Sequence, residues 1–323
     1  MAKRAEGQDQ QSAAATTASR WEGLPTEARH PASGDLDRMS GERIVALLLD
    51  EDRRGLEIAR RLSREIALAA DWIADSFAGG GTVLFAGAGT SGRLGILEAA
   101  ESPPTFGTDP ARIRAVIAGG PEAVFAAREG SEDRQEDGRR AVEKLGTGDL
   151  VVGISASSVT PYVGGALTAA RTRGSRTILL TCASGDSVGE PADLVLALDT
   201  GPEILTGSTR LKAGSATKAV LNAMTTAAMV RVGKVFENLM VGLRPGSAKL
   251  GDRALRIIQA AGGVTRDQAV TLHLEADGEV KTAIVMARCG IGAETARRRL
   301  AAAGGRVRRA IEANSDEGEP PTE

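Results

Sequence analysis

Three short stretches of this sequence combine residue types that could hold an anion and move protons. The first, Gly87-Ala88-Gly89-Thr90-Ser91-Gly92-Arg93, lies between an apolar run and a helical segment. Its glycines allow close backbone approach, Thr90 and Ser91 offer hydroxyl donors, and helix-start amides would face an anion. The second, Ser155-Ala156-Ser157-Ser158-Val159-Thr160, is rich in hydroxyls and precedes Pro161, a residue suited to the first helical position. Either loop alone is compatible with an ordinary capped turn. Two in corresponding places favour a single phosphate-bearing ligand. The third stretch, residues 201–214, packs Glu203, Thr206, Ser208, Thr209, Arg210 and Lys212 into a glycine-containing loop that leads to a helix.

Carboxylates are the candidates for proton transfer. Glu98 and Glu101 are three apart on the helix after the first loop and share a face. Ser102-Pro103-Pro104 is expected to end that helix directly after Glu101. Glu129, Glu132 and Asp133 cluster in REGSEDRQED, which by composition alone reads as a solvated face.

The elements that must position these groups follow from periodicity. Short apolar runs at 82–87, 114–119, 150–155, 177–182 and 194–198 alternate with helical segments. Continuous apolar strands separated by helices predict a doubly wound parallel sheet covered on both faces, an α/β sandwich. Ligands bind outside the carboxyl ends of such strands, where the first two loops lie. Ahead of the sheet, Ile44, Leu47, Leu48, Ile58, Leu62, Ile66 and Ile73 repeat at helical spacing, from Ser40 as N-cap to the glycines at 79–81. After it come a long helix over about 209–232 and, across 251–313, short amphipathic segments split by glycine turns. These predict a core domain over 24–250 and a small helical C-terminal subdomain. Residues 1–23 and the acidic 314–323 are expected to be disordered tails.

Composition removes several classes of function. Forty basic and 42 acidic residues leave a net charge of −2, so no charge surplus recruits nucleic acid or a membrane surface. Two Trp, one Tyr and five Phe leave little for a stacking platform. Cys182 and Cys289 are far apart, which excludes a disulfide framework, and with only His30 and His273 no zinc motif or histidine-based nucleophile pattern arises. The N-terminal stretch lacks an apolar region of signal-peptide type, and no run reaches membrane-span length. A soluble cytoplasmic protein is expected. Forty glycines, against a usual share of about 7%, point to many tight turns.

The first loop also reads GxGxxG, the form of a dinucleotide fingerprint. That fingerprint needs an acid about 20 positions on, at the end of the second strand. Here RAVIAGG ends in glycines, and Glu122 follows Pro121 at a helix start, where a carboxylate serves the helix dipole. A nicotinamide-dependent oxidoreductase is therefore disfavoured.

Taken together, residues 87–107 (GAGTSGRLGILEAAESPPTFG), 117–134 (IAGGPEAVFAAREGSEDR) and 201–214 (GPEILTGSTRLKAG) closely resemble the N-acetylmuramic acid 6-phosphate etherase family. Residues 26–39, TEARHPASGDLDRM, are similar to that family's TExRNPxSxxLDxM, with His30 in place of Asn. The resemblance implies a homodimeric sugar isomerase (SIS) fold with no metal or organic cofactor. It implies removal of D-lactate from C3 of N-acetylmuramic acid 6-phosphate, leaving N-acetylglucosamine 6-phosphate. It assigns Glu101 as the acid that protonates departing lactate and Glu132 as the second catalytic carboxylate, against the composition-only reading. Phosphate and sugar hydroxyls would be held by Gly89, Thr90, Ser91, Ser155, Ser157, Ser158 and Thr160, with Glu203, Ser208 and Lys212 lining the site. The second loop departs from the family's AASGRTPYV, with Ser158 for Gly and Val159 for Arg. NLMVDVxATNxKL appears with Gly242 for Asp and Ser247 for Asn. The altered second loop keeps open a non-catalytic sensor of sugar phosphates as an alternative.

Overall fold

A computed structural model describes residues 23–183, 192–243 and 248–313. Nearly all of both expected tails, and Ser247, lie outside these residues. Five strands form one parallel sheet: β1 (Val83–Gly87), β2 (Ile113–Ile117), β3 (Leu150–Ile154), β4 (Arg176–Thr181) and β5 (Leu194–Ala197). Their order is β2-β1-β3-β4-β5. Val83 of β1 pairs with Ile113 on one side and Leu150 on the other. The winding reverses between β1 and β3, which places the switch point at Gly87 and Ile154.

Strand alternation divides the interior into two layers. Val83, Phe85, Val152, Ile154, Ile178 and Leu180 face one hydrophobic cluster. Helices α2 (Ser63–Ala78) and α6 (Lys212–Arg231) cover that face, with α1 (Gly41–Arg61) laid across α6. Leu84, Ala86, Val151 and Leu179 face the other cluster, under α4 (Gln135–Ala141) and α5 (Pro161–Thr172). Helices on both faces make the doubly wound α/β sandwich.

Ser40 caps α1, its Oγ accepting from the Arg43 amide at 3.3 Å. The apolar period predicts one helix from there to 78, but the run breaks at Leu62. There the Ser63 hydroxyl donates back to the Arg60 carbonyl, and the Leu62 amide bonds three residues back to Ala59 instead of four. Short side chains that bond the local backbone compete with the helical ladder in this way.

The expected stop at Pro103-Pro104 is also corrected. Helix α3 runs from Gly89 to Phe106 with both prolines inside it. Proline's fixed φ is already helical, and only two donors are lost. The stop comes from Gly107, left-handed at φ 60°, whose amide donates to the Pro103 carbonyl at 2.8 Å.

After α6 a two-residue hairpin, β6 (Val235–Phe236) with β7 (Leu239–Met240), leads to five helices. These are α7 (Ala248–Gly262), α8 (Arg266–Glu275), α9 (Val280–Cys289), α10 (Ala293–Ala302) and α11 (Val307–Glu312). They enclose a separate apolar cluster centred on Ile257, Ile258, Ile284 and Val285, into which Phe236, Val241 and Leu243 also pack. No helix among the described residues is long and apolar enough to cross a membrane.

Close contact of α3 with the sheet depends on Gly92. A Cβ there would fall 2.5 Å from Ile117 Cγ1 and 2.8 Å from the Gly87 carbonyl oxygen. Gly92→Ala should therefore cost roughly 1–3 kcal/mol through overpacking. Gly251→Ala in α7, where a Cβ meets nothing within 4 Å, should stabilise by roughly 0.5–1 kcal/mol. Urea unfolding midpoints check both signs.

Candidate active site

The loops after β1 and β3 flank the switch point, where the sheet offers its ligand crevice. In the first, Ala88 is extended and Gly89 takes φ 51° as α3 begins. No side chain caps this helix, and its first internal bond runs from the Gly92 amide to the Ala88 carbonyl at 3.2 Å. The amides of Gly89, Thr90 and Ser91 thus belong to the uncompensated positive end of an 18-residue helix. Arg93 faces elsewhere. Its guanidinium donates to the carbonyls of Val124 (2.7 Å) and Ala123 (2.8 Å), tying α3 to the turn that leads toward Glu132.

In the second loop Ser155 is buried, its Oγ 2.9 Å from Thr160 Oγ1, and its amide donates to the Leu180 carbonyl at 3.0 Å. The Ser158 amide closes a turn onto the Ser155 carbonyl at 3.2 Å. Ser158 is fully buried with φ 62°, the left-handed region that favours glycine. The sequence departure at this position is therefore a serine carrying a glycine's backbone conformation. Ser157 is half-buried beside it. The Tyr162 amide, in the first turn of α5, donates to the Glu132 carbonyl at 2.9 Å. That bond brings the acidic 129–133 segment, distant from the loop in sequence, to the second loop.

Helix α6 supplies the third wall. The Glu203 carboxylate is buried and accepts from the amides of Ala213 (2.8 Å) and Lys212 (3.2 Å), capping α6 from outside the helix. Burial pushes the Glu203 carboxyl up, and those two amides and the Lys212 charge oppose it. Lys212 is buried as well. Its Nζ donates to Glu51 Oε2 at 2.5 Å and to the Pro202 carbonyl at 2.8 Å. Glu51 also meets Arg54 Nη1 at 2.6 Å and His30 Nε2 at 3.4 Å. His30 Nδ1 accepts from the Ala32 amide at 3.2 Å, which leaves Nε2 facing Glu51. Burial raises the Glu51 carboxyl, but the Lys212 and Arg54 charges and bonds prevail and hold it below the usual range. Ser208 is half-buried in the preceding turn, its amide donating to the Leu205 carbonyl at 2.9 Å. The third segment meets the first loop at Gly214, where a Cβ would lie 3.8 Å from Thr90 Cγ2.

The two acids on α3 separate. Glu98 is buried against α6, bonded to Lys218 Nζ and, at 2.7 Å, by the Thr225 hydroxyl. Glu101, one turn on, is exposed, as is Glu132. Both carboxylates are open to solvent, but Glu101 lies twelve residues beyond Gly89 on α3, about 18 Å of helix rise from the first loop, and Glu98 fixes the helix that carries it. Sequence reasoning missed Glu51 as part of this assembly, and it named Glu98 and Arg93 without their structural roles. Glu51 had a signal: it continues the Ile44, Leu47, Leu48 stripe of α1, an acid on an apolar face.

Comparison with known proteins decides the family. Residues 65–171 match the glucokinase regulatory protein N-terminal SIS domain, and residues 131–227 match the SIS domain. The chain is 45% identical over 303 residues to N-acetylmuramic acid 6-phosphate etherase of Parasynechococcus marenigrum, covering 93% of this chain and 96% of the relative. The etherase of Rubrobacter xylanophilus is 46% identical over 290 residues, covering 89% and 96%. That of Mycolicibacterium smegmatis is 44% identical over 290 residues, covering 89% and 97%. The chain belongs to the N-acetylmuramic acid 6-phosphate etherase family. Its parallel sheet with flanking helices is the SIS fold of that family, and the resemblance carried by residues 87–107, 117–134 and 201–214 is borne out.

The buried pair Glu51–Lys212 generates a stability prediction. Glu51→Gln leaves the Lys212 ammonium buried without its counter-charge and should cost about 3–5 kcal/mol near neutral pH. Because the folded Glu51 carboxyl lies below its ordinary value of 4.5, its stabilisation is fully present above 4.5 and is lost as pH falls below that toward and through the lower folded value. Urea unfolding of both proteins from about pH 7 to about pH 3.5 should show the gap narrowing with acid. A gap that stays constant would contradict this role for Glu51.

Proposed function

We propose that this chain cleaves the lactyl ether of N-acetylmuramic acid 6-phosphate, giving N-acetylglucosamine 6-phosphate and D-lactate. The observation that carries the reading is the convergence of two anion-type loops at the switch point with one exposed carboxylate attached to each. Glu101 rides the helix that opens at the first loop, and Glu132 is bonded through its carbonyl to the helix that opens at the second. The relatives named above support the substrate.

The sugar opens to its aldehyde, which makes the C2 proton acidic. A base removes that proton, the C3–O bond breaks, and the electron pair from C2 forms the C2–C3 double bond. Glu101 protonates the departing lactate oxygen, and water then adds across the double bond. Glu132 is the second carboxylate, a base for the proton or water step. Gly89, Thr90 and Ser91 hold the phosphate on the positive end of α3. Ser155, Ser157, Ser158 and Thr160 meet phosphate and sugar hydroxyls, with Ser208 on the third wall. Glu203 and Lys212 line the site from beneath, their polar groups holding the 201–214 segment in place. The protein works in the cytoplasm as a homodimer.

D-lactate release from N-acetylmuramic acid with and without its 6-phosphate tests the reading, with turnover expected only for the phosphorylated sugar. Glu101→Gln should lower that turnover by roughly 10²–10⁴-fold while thermal stabilisation by the sugar phosphate persists. Folded wild-type protein that is stabilised by the sugar phosphate yet releases no lactate would instead be a sensor.

A further inference from the structure

The substrate named above carries two anions, the 6-phosphate and the carboxylate of its lactyl group. The uncompensated amides at the start of α3 face one of them. We propose that Arg210 grips the other, the lactyl carboxylate, and so tells the ether apart from the sugar phosphate that remains after cleavage. The identity of this ligand rests on the etherase reading.

The other two helix starts at the crevice have their first amides taken. Pro161 opens α5 without an N–H. The Tyr162 amide donates to the Glu132 carbonyl at 2.9 Å, and those of Val163 and Gly164 donate to the Thr160 carbonyl at 3.0 and 3.1 Å. At α6 the Glu203 carboxylate already accepts from the amides of Lys212 and Ala213. A second anion therefore needs a side-chain cation. Segments 87–93, 117–134, 155–163 and 201–214 carry five of them. Four are engaged: Arg93 with the Ala123 and Val124 carbonyls, Arg128 with Glu122, Arg134 with Asp137, and Lys212 with Glu51 and the Pro202 carbonyl. The second loop carries none, since Val159 stands where the resembling motif has Arg. Arg210 is exposed, and its guanidinium alone of the five has no hydrogen bond or ion pair among the described residues.

Backbone contacts set its place. The Leu211 amide donates to the Ser208 carbonyl at 3.2 Å, closing a turn with Thr209 and Arg210 at its two central positions. The Thr209 carbonyl oxygen is 3.4 Å, and Thr90 Cγ2 3.8 Å, from the point where a Cβ on Gly214 would stand. The corner that bears Arg210 thus packs beside Thr90 at the start of α3. A long side chain based there has a ligand on the α3 amides within reach. Its planar fork matches a carboxylate with two parallel N–H···O bonds.

Binding is measured with N-acetylmuramic acid 6-phosphate and N-acetylglucosamine 6-phosphate, each reduced to its alditol. Neither alditol has the aldehyde that makes the C2 proton acidic, so no lactate is lost during the measurement. Calorimetric titration of the whole protein should show the lactyl alditol bound roughly 10- to 100-fold more tightly. Arg210→Gln should remove that preference and leave the affinity for the other alditol unchanged. Arg210→Lys, a point charge without the fork, should keep part of it. Arg29 lines a different cleft with Leu205 and Thr206, and Arg29→Gln should keep all of it. Failure of the wild-type protein to prefer the lactyl alditol would overturn the proposal. So would a preference that survives Arg210→Gln, or an equal loss of both affinities in that variant. Lactate release from the unreduced sugar reports on the etherase reading by itself, since a sensor that releases none would still show the preference and its loss.

Discussion

The candidate site depends on one buried electrostatic knot at the start of α6. Lys212 joins Glu51 of α1 and the Pro202 carbonyl, while Glu203 caps the helix that Lys212 opens. Two ions removed from water cost several kcal/mol each, and the cost is met only when every partner is in place. His30 and Arg54 complete the set around Glu51. Segments near residues 30, 51 and 203–213 are therefore held in one arrangement. That arrangement sets the height of the 201–214 segment beside Thr90.

The same logic extends across the crevice. Glu98 takes Lys218 and Thr225 from α6, which fixes the roll of α3 and leaves Glu101 facing outward. Arg93 ties α3 to the turn before the 129–133 acids, and the Glu132 carbonyl receives α5. Buried charged groups thus position the helices, while Glu101 and Glu132 stay exposed to solvent. Glycines at the switch point let α3 approach the sheet closely enough for its amides to reach the crevice.

Much of this was legible in the sequence because burial on both faces leaves a strong trace. Five apolar runs gave five strands, and the two hydroxyl loops fell at the strand ends where parallel sheets bind ligands. What escaped was set by tertiary partners. The break at Leu62 has no Gly or Pro to announce it, and the β6–β7 hairpin is only two residues per strand. The prolines at 103 and 104 predict a stop, because the pattern does not show that Gly107 supplies the true one. Glu203 and Lys212 were legible as a dense polar segment. Their burial was not, since Glu51 lies some 160 positions from Lys212. Ser158 carried its own signal as a departure from glycine, and its φ of 62° shows the conformation that residue must bear.

The central claim is that this arrangement divides the chemistry, with Glu101 acting on the departing lactate and another base acting at C2. Proton exchange at C2 tests that division most directly. Glu101→Gln is incubated with N-acetylmuramic acid 6-phosphate in deuterated water, and the recovered sugar is examined for deuterium at C2. Exchange that continues while lactate release is lost is the expected result. Loss of C2 exchange as complete as the loss of lactate release, in folded protein that still binds the sugar phosphate, would contradict the account.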